Sequence, residues 1–231
     1  MKITVIGASG LIGAKVVDLL TADGHEVVAA SRSSGVDVLT GDGLAAALGG
    51  ANAIVDVTNS PSFDDDPVME FFTTSTTNLV AAASAAGVRH YVALSIVGVD
   101  GLPGSGYMRA KVVQENIITE SDVPYTILRA TQFAEFADAI TDSMTVGDEV
   151  RVPDALIQPV AADQVAAEVA RAAAAEPLNS VVNIGGPDKI SFERMAREVL
   201  ARRRDDKTVV VDPEAGYFGT LLTERSLVTP D

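Results

Sequence analysis

Met1-Lys-Ile-Thr-Val-Ile-Gly-Ala-Ser-Gly-Leu-Ile-Gly13 carries a short apolar strand, Ile3 to Ile6, straight into Gly7-x-x-Gly10-x-x-Gly13 and then into a helical stretch, Leu11 to Ala22. A buried strand that must turn at once into a helix needs a residue free of a Cβ at the turn, which Gly7 supplies. Gly10 lets backbone approach a pyrophosphate, and Gly13 lets the helix pack closely. The unpaired N–H groups at the helix start then face the anion. Glycine spacing alone is a weak sign. Here it follows a strand, opens a helix, and is closed into a βαβ unit by a second strand, Glu26 to Ala30. We therefore read Gly7, Ser9, Gly10, Leu11, Ile12 and Gly13 as the phosphate cradle of a nucleotide.

Working outward, apolar or β-branched runs at Ala53–Thr58, His90–Ser95 and Tyr125–Arg129 alternate with alanine- and leucine-rich segments of helical period. Such alternation predicts an α/β fold: a Rossmann-type doubly wound parallel sheet with ligands at the C-terminal strand ends. A further brief strand is expected at Val36 to Leu39, with Thr40-Gly-Asp-Gly43 turning into a helix at Leu44 to Leu48. After Arg129 the regularity loosens. Helices are expected at Ala134–Ser143, Asp163–Ala175 and Ser191–Arg204, the last with a serine cap, and a strand at Val181–Ile184. The final residues, Leu221 to Asp231, read as an irregular tail. We expect one nucleotide-binding domain over residues 1–231, with 1–130 as the cofactor core and 131–231 as a small C-terminal portion that mostly covers substrate.

The chain has 231 residues, no cysteine and a formal net charge of −15. Thiolate catalysis and cysteine-bound metal are excluded. Asp64-Asp65-Asp66 lacks companion ligands and reads as a solvated loop, so no metal site is expected. The acidity disfavours nucleic acid and anionic membranes as partners. With no signal-peptide pattern and no apolar run long enough to span a bilayer, a cytoplasmic location is expected. His25 and His90 precede strands, on the side away from the cleft, and read as structural.

The residues closing the second strand choose the nucleotide in such folds. A carboxylate there favours an NAD ribose. This chain instead has Ala30-Ser31-Arg32-Ser33-Ser34, a guanidinium and three hydroxyls suited to a 2′-phosphate. NADP(H) is therefore expected over NAD(H). NAD(H) stays open because Asp37 lies within a loop's reach. By topology, Val57, Thr58 and Asn59 pass beneath the nicotinamide ribose, with Ser60 at the substrate edge. Ala130 and Thr131 line the nicotinamide side, and Gln132 and Phe133 the substrate side. Phe63, Phe71, Phe72, Phe133 and Phe136 are candidates for an aromatic pocket, with core packing as the alternative.

Tyr107 and Lys111 are four residues apart on one helix face, behind the flexible Gly101–Gly106 loop. With the three glycines, this pair resembles the short-chain dehydrogenase/reductase superfamily. Gly87–Ser95, Val123–Arg129 and Ile184-Gly-Gly-Pro187 are similar to its atypical, NmrA-like branch. The resemblance implies that Lys111 holds the nicotinamide ribose and lowers the pKa of Tyr107, which protonates a carbonyl oxygen. It implies a supporting role for Asn78 in proton relay and a substrate-binding serine at Ser95, although strand register places Ile96 as the alternative at that position. It also admits a homodimer through the helix of Tyr107 and Lys111.

The resulting expectation is NADP(H)-dependent reduction of a small carbonyl or quinone by hydride transfer. The Ser95-Ile96 departure supports a second reading, a non-catalytic NADP(H)-sensing protein of the NmrA type. A sugar-nucleotide epimerase or dehydratase fits less well, because the C-terminal part is small and the acidic NAD reader is absent.

Overall fold

The computed structural model describes residues 1–230. Its centre is a wholly parallel six-stranded sheet in the order β2-β1-β3-β4-β5-β9. These strands are β1 (Lys2–Ile6), β2 (Glu26–Ala30), β3 (Ala53–Asp56), β4 (His90–Ile96), β5 (Tyr125–Ala130) and β9 (Ser180–Ile184). The chain winds from β1 to one side and, with β3, to the other. The strand order reverses between β1 and β3, which is where a ligand crevice opens in folds of this kind. The glycine turn leaves β1 there, and Val57–Asn59 leave β3 beside it.

Helices cover both faces. On one, α1 (Leu11–Ala22) packs against α6 (Ala162–Ala173) over Val5, Val55 and Val92. The buried face of α6 is almost all Ala and Val, so it lies close to the sheet. On the other, α2 (Leu44–Leu48), α3 (Asp65–Ala86) and α4 (Gly106–Thr119) bury Ile54, Leu79, Tyr91 and Ile127. The start of α4 is fitted tightly. Ser105 caps it by accepting a hydrogen bond from the Met108 N–H, and a Cβ at Gly106 would lie 1.9 Å from Asp65 Oδ1.

The C-terminal portion does more than cover a ligand, because α6 and β9 belong to the main layers. Its remainder comprises α5 (Ala137–Ser143), β6 (Thr145–Val146), β7 (Glu149–Val152), β8 (Leu156–Ile157), β10 (Ile190–Ser191), α7 (Phe192–Arg203) and β11 (Thr208–Val211). These build a separate apolar cluster around Val150, Val152, Ile157, Phe192 and Met195. Ser191 caps α7 as expected, accepting from the Arg194 N–H.

Two expectations need correction. No strand forms at Val36–Leu39. The Asp37 carboxylate takes the N–H groups of Leu39 and Thr40, and the Asp37 N–H bonds to Asp42 O, so the segment closes on itself instead of extending the sheet beyond β2. The tail after Leu221 is irregular but packed: Leu227 is fully buried, the Leu156 N–H donates to Glu224 O, and a Cβ at Gly98 would lie 1.8 Å from Ser226 O. Asp231, the end of that stretch, lies outside the described residues.

The glycine motif divides its work differently from the expectation. Gly7, at φ +85°, sits against β3's exit, where a Cβ would come within 2.9 Å of Val57 O. Gly13 is needed against the turn itself, since its Cβ would fall 2.1 Å from Gly7 O. The obstacle is backbone and cannot swing aside. Gly13→Ala is therefore expected to destabilise the protein by about 1–3 kcal/mol in urea unfolding, with an unchanged dependence of stability on denaturant.

Candidate active site

The crevice at the switch point is a cleft of about 1230 Å³. Drug-sized ligands occupy roughly 300–1,000 Å³, so there is room for a dinucleotide and a small second molecule. At one end lie Gly7, Ser9, Gly10, Leu11 and Ile12. Gly10 is the N-cap of α1 and no side chain caps that helix, so its first N–H groups face the cleft without a protein partner. There is no acidic residue in the first turn to oppose an anion. Gly13 is buried behind the turn and does not line the cleft.

The loop after β2 supplies Ser31, Arg32 and Ser33 to the lining. Ser31 and Ser34 are tied reciprocally: Ser34 Oγ donates to Ser31 O and accepts from the Ser31 N–H. Ser34 thus shapes the loop from outside the cleft. The Arg32 side chain has no ion pair or hydrogen bond among the described residues. Asp37, whose carboxylate is engaged by its own turn, does not reach the cleft. Although the chain carries 32 Asp and Glu residues, none of those among the described residues lines this cleft, and Arg32 and Lys111 do. An acidic protein has thus kept one cavity free of carboxylates, as a negatively charged ligand requires.

The other end is aromatic. Tyr107 stands between Phe63, with ring centroids 5.2 Å apart, and Phe218, stacked on it at 5.7 Å. Phe133 and Phe136 form a second pair 5.7 Å apart. Phe71 also lines the cleft, whereas Phe72 is buried in the core beneath Lys111, whose Nζ lies 4.6 Å from its ring centroid. Tyr217 and Phe218 were not foreseen. They lie between Gly216 and Gly219 in an irregular stretch without periodicity, which offers no sequence signal.

Tyr107 Oη donates to Asn59 Oδ1 at 3.1 Å. Burial pushes the phenol up to about 12, against a smaller opposing effect of the Asn59 hydrogen bond. The lowering that the resemblance implies for Tyr107 is not seen here, where removal of the phenolate from water raises the phenol instead. Lys111 is itself buried. Desolvation pulls it down to about 8, partly offset by the charges of Asp56 and Glu115. Its Nζ donates to Leu94 O at 2.9 Å and to Gln114 Oε1.

Ser95 and Ile96, adjacent at the end of β4, both line the cleft. Ser95 Oγ is buried with no hydrogen-bond partner, as is Gln132 Oε1. Two orphaned polar atoms in one cavity are what a bound ligand would satisfy. Val57, Thr58, Asn59, Ala130, Thr131 and Phe133 line the cleft as expected from topology.

Asn78 and Ser60 do not. The Asn78 amide donates to Val38 O and Leu39 O at 2.9 Å each, bracing the loop that failed to become a strand, so the structure does not place it in a relay with Tyr107. Ser60 is buried in its own turn, its hydroxyl accepting from the Ser62 N–H.

A buried network missed by sequence reading lies behind the pair. The Asp56 carboxylate, 1% exposed, accepts from Thr58, Tyr91 and Gln114. Two signals were available: a charge inside the otherwise apolar Ala53–Val57 run, and Gln114 three residues beyond Lys111 on the same helix face.

The model of the NAD(P)H-binding family matches residues 7–176, and the chain belongs to that family. A reductase of (4-alkanoyl-5-oxo-2,5-dihydrofuran-3-yl)methyl phosphate from Streptomyces griseus is 33% identical over 57% of this chain and 48% of its own. The photosystem II assembly factor Ycf39 of Synechocystis is 24% identical over 63% of this chain and 51% of its own. The chain spans about half the length of these curated relatives. In fold it is similar to the Escherichia coli NADPH-dependent quinone oxidoreductase QOR2 solved with NADPH, with TM-score 0.65, 21% identity, and coverage of 91% of this chain and 77% of that one. No helix among the described residues is long and apolar enough to cross a membrane.

The high phenol pKa has a measurable sign. A group whose folded pKa lies above its unfolded value of about 10 contributes stability in full below pH 10 and loses it as the pH rises through about 12. In difference titration at 295 nm, wild type minus Tyr107→Phe should show no more than about a tenth of the phenolate signal by pH 11. A midpoint at or below 10 in the folded protein would contradict the burial argument.

Proposed function

We propose that this chain is an NADPH-dependent oxidoreductase that reduces a small carbonyl or quinone compound, with Tyr107 as the proton donor. The observation that carries the reading is one carboxylate-free cleft with an anion cradle and an unpaired Arg32 at one end and the Tyr107–Lys111 pair at the other. The names of the Streptomyces reductase and the Escherichia coli quinone oxidoreductase support the same class of reaction.

The bound nicotinamide supplies hydride to the electrophilic carbon of the substrate. The chain's own residues bind, orient and protonate. Gly10 and the open start of α1 hold the diphosphate, and Arg32 with Ser31 and Ser33 holds the 2′-phosphate. Lys111, fixed at Leu94 O and Gln114 Oε1, has one N–H donor left for the ribose side. The Tyr107 phenol stays protonated throughout the neutral range, so it is ready to give its proton to the oxygen on which charge develops. Ser95 Oγ, lacking any protein partner, is the second donor for that oxygen. The aromatic side chains of Phe63, Phe133, Phe136 and Phe218 offer stacking surface to a flat apolar substrate.

Ile96 beside Ser95 favours a second reading, cofactor binding without turnover. Calorimetric titration with the four nicotinamide nucleotides, followed by NADPH oxidation over a quinone and aldehyde panel, separates the two. The reductase reading expects NADPH to bind more tightly than NADH, and Tyr107→Phe to lower kcat/KM by about 10²- to 10⁴-fold with NADPH affinity kept. Tight binding with no oxidation on any panel member would leave the sensor. Separately, Arg32→Ala should weaken NADPH binding by about 10- to 100-fold while sparing NADH. An unchanged ratio of the two affinities would refute the 2′-phosphate assignment.

A further inference from the structure

Asp56 is a buried carboxylate at the last position of β3, outside the cleft lining, and it makes two sets of contacts, one leading toward Tyr107 and the other toward Lys111. Its Oδ1 accepts from the Thr58 N–H at 3.1 Å and from Thr58 Oγ1 at 2.7 Å. These bonds fix the turn that carries Asn59, the acceptor of the Tyr107 hydroxyl. Its Oδ2 accepts from Tyr91 Oη and from Gln114 Nε2, both at 2.9 Å. The same Gln114 amide presents its oxygen to Lys111 Nζ. An amide that accepts a hydrogen bond from a cation at one end and donates one to a carboxylate at the other is oriented by both, so its polarised oxygen stays aimed at the cation.

We propose that Asp56 is a positioning residue for the Tyr107–Lys111 pair, acting on Lys111 through the Gln114 amide and on Tyr107 through Thr58 and Asn59. The inference rests on the reading of that pair as the reacting groups, and it adds what holds them. A structural role alone would need only that the carboxylate be satisfied. Tyr91 and the two Thr58 donors fill three of its roughly four acceptor positions; the fourth goes to an amide whose other end is bound to Lys111, where any donor would have satisfied the carboxylate.

The surroundings of Lys111 make the charge matter. From α3 the Phe72 ring lies 4.6 Å from its Nζ and from β4 comes the Leu94 carbonyl, while the Tyr91 phenol bound to Asp56 is held neutral by burial and by that carboxylate. From its own helix come the neutral Tyr107 and Glu115. Glu115 is engaged by Arg129, reached from β5 at 2.9 Å from Nε, and Arg129 is in turn shared with Asp100. Asp56 is thus the one carboxylate near Lys111 without a cationic partner of its own. Its charge opposes the desolvation that pulls Lys111 down to about 8.

The test is a ¹³Cε-lysine NMR titration of the full chain, whose five lysines keep the spectrum assignable. In wild type the Lys111 resonance should titrate near 8. Asp56→Asn and Gln114→Leu should each move that midpoint down by on the order of one pH unit. The double variant should move it by less than the sum of the two single changes, because the aim of the amide depends on the carboxylate that orients it, although the carboxylate also acts on Lys111 through space. Gln114→Leu leaves Asp56 its Tyr91 and Thr58 donors, so it reports even if Asp56→Asn fails to fold. With NADPH and a responsive substrate, the alkaline limb of kcat/KM should shift to lower pH by the same amount in both single variants. Thr58→Val should lower kcat while leaving the Lys111 midpoint in place.

A Lys111 midpoint unmoved in Gln114→Leu, or shifts that simply add in the double variant, would overturn the proposal. Loss of activity at every pH with that midpoint unmoved would do the same, by reducing Asp56 to a fold element. The NMR readout also separates this inference from the one beneath it: if no substrate is reduced but the midpoints move as stated, the reductase reading falls and the coupling stands.

Discussion

Backbone crowding at the end of β1 sets the position of nearly everything that matters in this protein. Gly7 is pressed between two strands: its N–H donates to Ala30 O at the end of β2, and its α-carbon lies so close to Val57 O at the end of β3 that no side chain fits. Gly13 then folds the first turn of α1 down onto Gly7 O. Three strand ends and a helix start are thereby held within a few ångströms, with the helix's free N–H groups aimed along the crevice. Arg32 follows from β2, Asn59 from β3, and both reach the cleft because the glycine turn occupies so little space.

The reacting end is governed by a different constraint, the cost of burying charge. Lys111, Asp56 and Glu115 are all almost inaccessible, and each has been given partners: a carbonyl and an amide for Lys111, four donors for Asp56, Arg129 for Glu115. Burial without such partners costs several kcal/mol per ion, so the network is a condition of folding before it is a device for catalysis. Tyr107 meets the same constraint from the neutral side, since burial keeps its proton in place and makes it an acid rather than a base.

The periodic parts of this structure were legible in the sequence, and the parts decided by local competition were not. The five strong strands, the glycine turn and α1 to α7 announce themselves by alternation of apolar runs, because burial of a face imposes a period. Val36–Leu39 has the composition of a strand, yet Asp37 takes the very N–H groups a ladder would use, and a side chain competing for its own backbone leaves no periodic trace. Asn78 is a helical asparagine at a plausible place, and its fate was decided by that same loop, forty residues away in sequence. The lowered phenol pKa that the resemblance implied for Tyr107 is opposed by burial, because a pair of residues in a motif says nothing of solvent. Asp56 was visible as a charge in an apolar strand. Its importance emerges only when the partners on β4 and α4 are seen to converge on it.

The charge distribution ties these observations together. A chain with 32 acidic and 17 basic residues would, with charges scattered evenly, repel any phosphorylated ligand. Instead the basic residues are mostly committed: Arg129 to Glu115 and Asp100, Arg151 to Glu149 and Asp212, Arg203 to Asp138 and Asp142. Apart from the largely buried Arg129–Glu115 contact, these are exposed pairs that add little stability, typically about 0–1 kcal/mol, so their main effect is to take cations out of circulation. Arg32 is left uncommitted at the mouth of a cavity without carboxylates, and Lys111 is left inside it. The acidic exterior then works with the cleft instead of against it. Extended polyanions meet the full net charge over their length, whereas a small anion that can enter the crevice meets only helix-end N–H groups, one guanidinium and one ammonium.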